Sequence, residues 1–159
     1  MSAPVVETAV AADLPAMVAL LGELFAQEHD FQPAPEKQQR GLQMLLDNPA
    51  AGRLFVLRQG SEVLGMVNLL LTISTAEGGR VGILEDLIIR AEYRGQELAK
   101  QLLHGVLDWS RSRGLARVTL LTDHDNLRAQ AFYGSFGFQP SAMQVMRLGL
   151  ATRSVSPSL

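Results

Sequence analysis

Two segments of the 159-residue chain hold side chains whose types and spacing suit chemistry. The first is a carboxylate pair, Glu85 and Asp86, inside the apolar run from Ile83 to Arg90. A carboxylate can take a proton from an amine or from water, and two of them are costly to bury without a reason. Strand alternation sends neighbours to opposite faces, so at most one lines a given cleft, with Glu85 on the face of Leu87 and Ile89. A half-exposed strand with both acids solvated accounts for them equally well. The second segment holds Asn126, Gln130 and Tyr133 at i, i+4 and i+7, one stripe of a helix. Ala129, Phe132 and Phe136 form the neighbouring stripe and its core side. Tyr133 then lies at a polar margin, where a phenol with a pKa near about 10 keeps its proton at neutral pH. A packed Tyr whose hydroxyl bonds a backbone carbonyl is the plainer alternative.

Between the two lies a tight turn, Arg94-Gly95-Gln96, that joins the Ile83–Arg90 strand to a long amphipathic helix. The first amides of a helix are unpaired and its dipole favours negative charge, so this turn can hold an anion, and a diphosphate is the expected one. It is neither a P-loop, since no Gly-Lys-Ser/Thr follows, nor GxGxxG. Asp123-His124-Asp125 could be suspected as a metal cluster, but a solvated capping loop explains it, and no metal is expected. The chain has no cysteine, which excludes disulfides and thiolate chemistry. Gly134-Ser135-Phe136-Gly137 has the wrong spacing for a serine-hydrolase elbow.

The remaining residues position these segments. A strand over Val5–Val10 precedes a helix over 14–28, with Asp13 as its N-cap and Pro15 in its first turn. A second helix spans Pro35 to Asp47. Arg53–Arg58 and Val63–Ser74 form a hairpin about Gln59-Gly60-Ser61-Glu62. The helix after the turn runs to about Arg113, and Gly114 stops it. Val118–Leu121 is a short strand, Leu127–Phe136 a helix, and Met143–Leu150 a last strand. The order predicts a mixed α/β domain of the α+β type over 1–150, with 151–159 a disordered tail. Hydrophobic residues make up 47% of the chain, enough for one core, and the net charge of −2 points to neither nucleic acid nor a membrane surface. The start, MSAPVVETAV, lacks the order of a signal peptide, and no apolar run is long enough to span a bilayer, so a soluble cytoplasmic protein is expected.

The turn and the second segment together resemble a known family. Tyr93-Arg94-Gly95-Gln96-Glu97-Leu98-Ala99 is similar to the Arg/Gln-x-x-Gly-x-Gly/Ala signature of the GNAT superfamily of acyl-CoA-dependent N-acetyltransferases. Asn126-Leu127-Arg128-Ala129-Gln130-Ala131-Phe132-Tyr133 with Gly137-Phe138 resembles its second signature, Asn-x-x-Ala-x-x-Phe-Tyr…Gly-Phe. The resemblance implies a sheet of six to seven strands with about four helices, splayed between the 83–90 and 118–121 strands, with acetyl-CoA in the split. The pantetheine arm would pair with the backbone of Leu87, Ile88 and Ile89. The diphosphate would take the turn formed by Arg94, Gly95, Gln96, Glu97, Leu98, Ala99 and Lys100, and Asn126 would lie near the acyl end. It further implies acetyl transfer by direct attack of a primary amine of a small molecule or peptide, with Glu85 as base and Tyr133 as acid. The acceptor would enter near His29–Gln32 and the Glu77–Arg80 turn. A homodimer is carried with it. Glu97 stands where the signature has Gly, and its carboxylate repels a diphosphate unless it points outward or Arg94 and Lys100 compensate. The alternative is a non-catalytic acyl-CoA-binding or oligomerisation module of the same fold.

Overall fold

The computed structural model describes residues 2–28, 32–95 and 97–150. These fall into two compact units, one reaching to Leu121 and one starting at Thr122. The first carries five strands, β1 (Val5–Thr8), β2 (Gly52–Gln59), β3 (Glu62–Ser74), β4 (Gly79–Ile89) and β5 (Val118–Leu120). It also carries the helices α1 (Leu14–Gln27), α2 (Pro35–Asp47) and α3 (Leu98–Ser112). The second carries α4 (Leu127–Gly134).

The strands lie in chain order, antiparallel from β1 to β4, and β5 joins β4 in parallel after the α3 crossover. Alternation along β2 divides the core. Leu54 and Val56 pack with Leu14, Met17, Leu20 and Leu21 of α1 and Leu42 of α2. Phe55 points to the other face, where it meets Trp109 of α3 edge to face at 5.5 Å. Leu102, Leu103 and Val106 of α3 are fully buried, each burial being worth about 1.5–3 kcal/mol. Gly114, at φ +72°, supplies the left-handed stop past the end of α3.

Two expectations fail for reasons of packing. Asp13 does not cap α1 with its side chain. Its buried carboxylate instead takes both terminal nitrogens of Arg58, at 2.9 and 2.8 Å, and the Val10 N–H at 2.9 Å. The Arg58 hydrogen bonds hold this carboxyl below the usual carboxylate range. Met143–Leu150 is not a strand, and the sheet has five strands rather than six or seven among the described residues. Alternating apolar residues cannot form a strand without a hydrogen-bonded neighbour, and here Met143 and Met146 are about nine-tenths exposed. The segment 151–159, read as a disordered tail, and His29–Phe31 of the expected acceptor entrance lie outside the described residues.

The expected splay is present. β5 pairs with β4 only at Gly82, Ile83 and Leu84, whereas β4 continues to Ile89. From Glu85 onward, β4 has a strand partner on the β3 side alone among the described residues.

Candidate active site

The carboxylate pair sits where regular pairing breaks. Asn68 of β3 pairs with Glu85, and Met66 pairs with Ile88, so Asp86 and Leu87 together oppose the single residue Val67. This is a bulge, and Asp86 adopts φ +62° to make it. The extra residue reverses the parity of the strand. Glu85 shares a face with Ile88, on the side of the sheet covered by α1 and α2, and not with Ile89 as alternation predicts. Asp86 does not turn to the opposite side either, because its Oδ2 accepts a 2.8 Å hydrogen bond from Asn68 Nδ2. Asn68 belongs to the face of Leu54 and Met66. Both carboxylates therefore serve one side of the sheet.

Their environments differ. Glu85 is exposed, while Asp86 is half-buried. Burial pushes the Asp86 carboxyl up, only partly offset by the Asn68 hydrogen bond. Asn68 is buried at 3% exposure, and its Oδ1 has no hydrogen-bond partner among the described residues. An unsatisfied buried acceptor costs about 1–3 kcal/mol.

The turn after β4 is also conformationally special. Gly95 has φ +80° and Glu97 φ +66°, ψ 11°. Asp86 and Glu97 are the two non-glycine residues with positive φ among those described, each at a cost of about 1–2 kcal/mol. Glu97, where the resembled signature has Gly, thus adopts a left-handed conformation that glycine takes more readily. The first helical bond of α3 runs from the Gln101 N–H to the Glu97 carbonyl at 3.2 Å. The amides of Leu98, Ala99 and Lys100 consequently have no acceptor inside the helix. Lys100 Nζ lies 3.5 Å from Glu97 Oε1, and the Glu97 side chain is 76% exposed. Arg94 is engaged elsewhere, its Nε donating to the Ile89 carbonyl at 2.9 Å and its Nη2 lying 3.9 Å from Glu23 of α1. Gln96 lies outside the described residues.

In the second unit, Asn126 caps α4 by accepting the Ala129 N–H at 3.1 Å. Gln130 Nε2 donates to the carbonyls of Asp123 and His124 at 3.0 and 2.9 Å, which closes the polar loop. No group of three or more His, Asp or Glu among the described residues could hold a metal ion. Tyr133 packs edge to face against Phe132 at 5.3 Å and Phe138 at 5.8 Å. Its hydroxyl makes no hydrogen bond among the described residues, so the bonded, purely packed alternative finds no support there. Burial pushes the phenol up, so it holds its proton through neutral pH.

The chain has relatives among known proteins. The family model described as "Acetyltransferase (GNAT) family" matches residues 14–138. The chain belongs to the GNAT acetyltransferase family. It is 32% identical over 99 residues to glucosamine 6-phosphate N-acetyltransferase of Trypanosoma brucei brucei, covering 62% of this chain and 65% of that one. It is 29% identical over 129 residues to aminoalkylphosphonate N-acetyltransferase of Salmonella typhimurium, covering 81% and 80%. The chain spans less than two thirds of the length of the first curated relatives it matches. Among solved structures, a predicted acetyltransferase with acetyl-CoA from Clostridium acetobutylicum shares the fold with a TM-score of 0.75 at 15% identity, covering 93% and 97%.

This GNAT chain fits the acyl-CoA that the fold generally takes. Among the described residues, the part of β4 beyond its β5 pairing and the first amides of α3 are backbone donors and acceptors of the kind that an amide-bearing arm and an anion can use. Sequence reasoning missed Asn68 and the special place of Asp86. The available signal was a lone Asn in the apolar run Val63–Ile73 opposite two adjacent acids, since Asp and Asn are the side chains that best tolerate positive φ.

Proposed function

We propose that this protein is an acetyl-CoA-dependent N-acetyltransferase that acetylates a primary amine of a small molecule or peptide by direct attack. The observation that carries the reading is the strand β4, unpaired by β5 beyond Leu84, running into a turn whose helix offers three open amides. Two relatives named for amine acetylation, of glucosamine 6-phosphate and of aminoalkylphosphonate, support a small amine as acceptor.

Bound acetyl-CoA would supply an activated acetyl thioester. The turn from Gly95 to Lys100 would hold its diphosphate, the backbone of Leu87–Ile89 its pantetheine arm, and Asn126 would lie near the acyl end. An alkylamine with a pKa near about 10 reaches the site protonated and must lose that proton before it can attack. Glu85, exposed on β4, takes it directly or through water. The N–C bond would form first to give a tetrahedral adduct, the C–S bond would then break as Tyr133, still protonated, gives its proton to the departing sulfur, and the second proton that the nitrogen sheds on becoming an amide would restore the phenol by way of solvent. Free backbone N–H groups of β4 receive the charge that develops on the acyl oxygen.

An amine panel assayed by release of free CoA tests the reading. Release with at least one primary amine supports it. Thermal stabilisation by acetyl-CoA without release on any amine would point to a non-catalytic acyl-CoA-binding module, and no stabilisation at millimolar concentration would overturn both.

A further inference from the structure

We infer that Asp86, held by Asn68 at the β4 bulge, is the residue that grips the acceptor's nitrogen, so that the acceptor is an amine arriving as an alkylammonium. The inference rests on the acetyl-transfer reading above. Four features of the pair call for the same ligand. Asp86 occupies a left-handed conformation that glycine would adopt more readily, so the bulge itself does not require a carboxylate there. Its Oδ2 is fixed by Asn68 at 2.8 Å, but among the described residues no Lys, Arg or His lies within ion-pairing distance. A half-buried carboxylate with a hydrogen-bond donor and no counter-ion is one side of a charge pair. Asn68, turned with its amide nitrogen on that carboxylate, leaves its buried Oδ1 as a second acceptor without a donor.

A primary ammonium carries the complement, one positive charge and three N–H donors on a single nitrogen. One N–H answers the open lone pairs of Asp86 and a second answers Asn68 Oδ1. Glu85 pairs across from Asn68 on the same face and is exposed. That arrangement divides the work between the two acids. Asp86 aligns the nitrogen, and Glu85 passes its proton toward solvent. The site lies one step along β4 from the Leu87–Ile89 backbone proposed to hold the pantetheine arm, so a nitrogen gripped there sits beside the acyl end.

The experiment compares Asp86→Asn and Asp86→Gly with the unaltered chain, using an alkylamine series and, in parallel, amines uncharged at pH 7.5 such as anilines. Glycine suits the positive φ and keeps the bulge. In both variants kcat/KM for alkylamines should fall by about 10²-fold, mainly through the amine KM, as expected when one partner of a desolvated charge pair is removed. The KM for acetyl-CoA and kcat/KM for the uncharged amines should change less than about threefold, which excludes a merely structural effect. Equal losses on charged and uncharged amines, or full alkylamine activity in Asp86→Gly, would overturn the inference and leave acetyl transfer standing. If the unaltered chain releases no CoA with any amine, titration calorimetry with butylammonium chloride decides separately. Binding that Asp86→Gly abolishes sustains the ammonium site while the transfer reading fails, and absence of binding to the unaltered chain overturns the site.

Discussion

Replacing Glu97 with glycine separates two effects that meet in one residue. At φ +66° a non-glycine residue costs about 1–2 kcal/mol. Glycine removes that strain but loses about 0.5–1 kcal/mol more backbone entropy on folding. The net stability change of Glu97→Gly therefore lies between zero and about 1.5 kcal/mol of gain, a rise in Tm of about 3–6 °C at most for a chain of this size. The charge acts on the ligand instead. The side chain is 76% exposed, so water-like screening applies. For a separation of about 7 Å from each charge of a bound diphosphate, the carboxylate would oppose binding by about 1.2 kcal/mol in total, close to an eightfold change in Kd. Losing Glu97 also releases Lys100 from its 3.5 Å contact, which works in the same direction. Acetyl-CoA should accordingly bind Glu97→Gly about five to ten times more tightly at low salt, with the gain shrinking near 0.15 M, where the Debye length is about 8 Å. Glu97→Ala is the control, since it removes the charge and keeps the strained backbone. It should match the gain in affinity and show no gain in Tm. Calorimetric titration of both variants at two salt concentrations, with melting curves, measures all four quantities. If neither variant binds acetyl-CoA more tightly at low salt, the carboxylate does not face the diphosphate. If the glycine variant melts below the alanine variant, the positive φ is not a strain.

Three other changes probe the strand, the acid and the fold. Tyr133→Phe should lower turnover by about 10²–10⁴-fold, the range for one general acid, while stabilisation by acetyl-CoA persists in a thermal shift assay; unchanged turnover removes Tyr133 from the mechanism. Gly65→Ala should destabilise by about 1–3 kcal/mol in urea unfolding and weaken acetyl-CoA binding, because a Cβ there would lie 2.9 Å from the Ile88 carbonyl and press on the far end of β4. Asp13→Asn should cost about 3 kcal/mol or more at pH 7 by leaving Arg58 half-paired. The native Asp13 carboxyl is held below its unfolded value, so its stabilisation is complete above about pH 4 and is lost as pH falls through the lower native value. The gap between the variant and the unaltered chain should therefore close in strong acid, and a pH-independent gap would contradict the assignment.

Most of the architecture was legible because local chemistry and long-range packing agree. The apolar spacing of Leu98, Leu102, Leu103 and Val106 marks α3, Gly114 marks its end, and the turn at Gln59–Glu62 fixes the β2–β3 hairpin. The splay after Leu84 followed from the family resemblance, not from the residues read alone. What stayed hidden depended on partners distant in sequence. Asp13 reads as a cap because the local motif is right, yet Arg58, 45 residues away, outcompetes the helix amides for its oxygens. Met143–Leu150 has the pattern of a strand and no neighbouring strand to bond. At the site, the roles expected of Tyr133 and the turn came from the family resemblance, whereas the bulge was not legible at all. Pleat alternation assumes one residue per step, and only the register against Asn68 and Met66 shows that β4 takes two.

That extra step makes β4 behave like a text with a shifted reading frame. Up to Glu85 its residues obey one parity, and from Ile88 onward they obey the other. Substitutions leave both halves in frame. Removal of one residue at 86 or 87 would too, because Glu85 and Ile88 then stand two positions apart and regular alternation keeps both on the face of Asn68 and the α1–α2 core, whereas a residue removed elsewhere in β4 turns one half onto the wrong face. The length of this strand is thus constrained in a way its composition is not. A single-residue deletion at the bulge should therefore be survivable, at the loss of the positive-φ carboxylate, while a deletion between Val81 and Leu84 sets the two halves of the strand on mismatched faces.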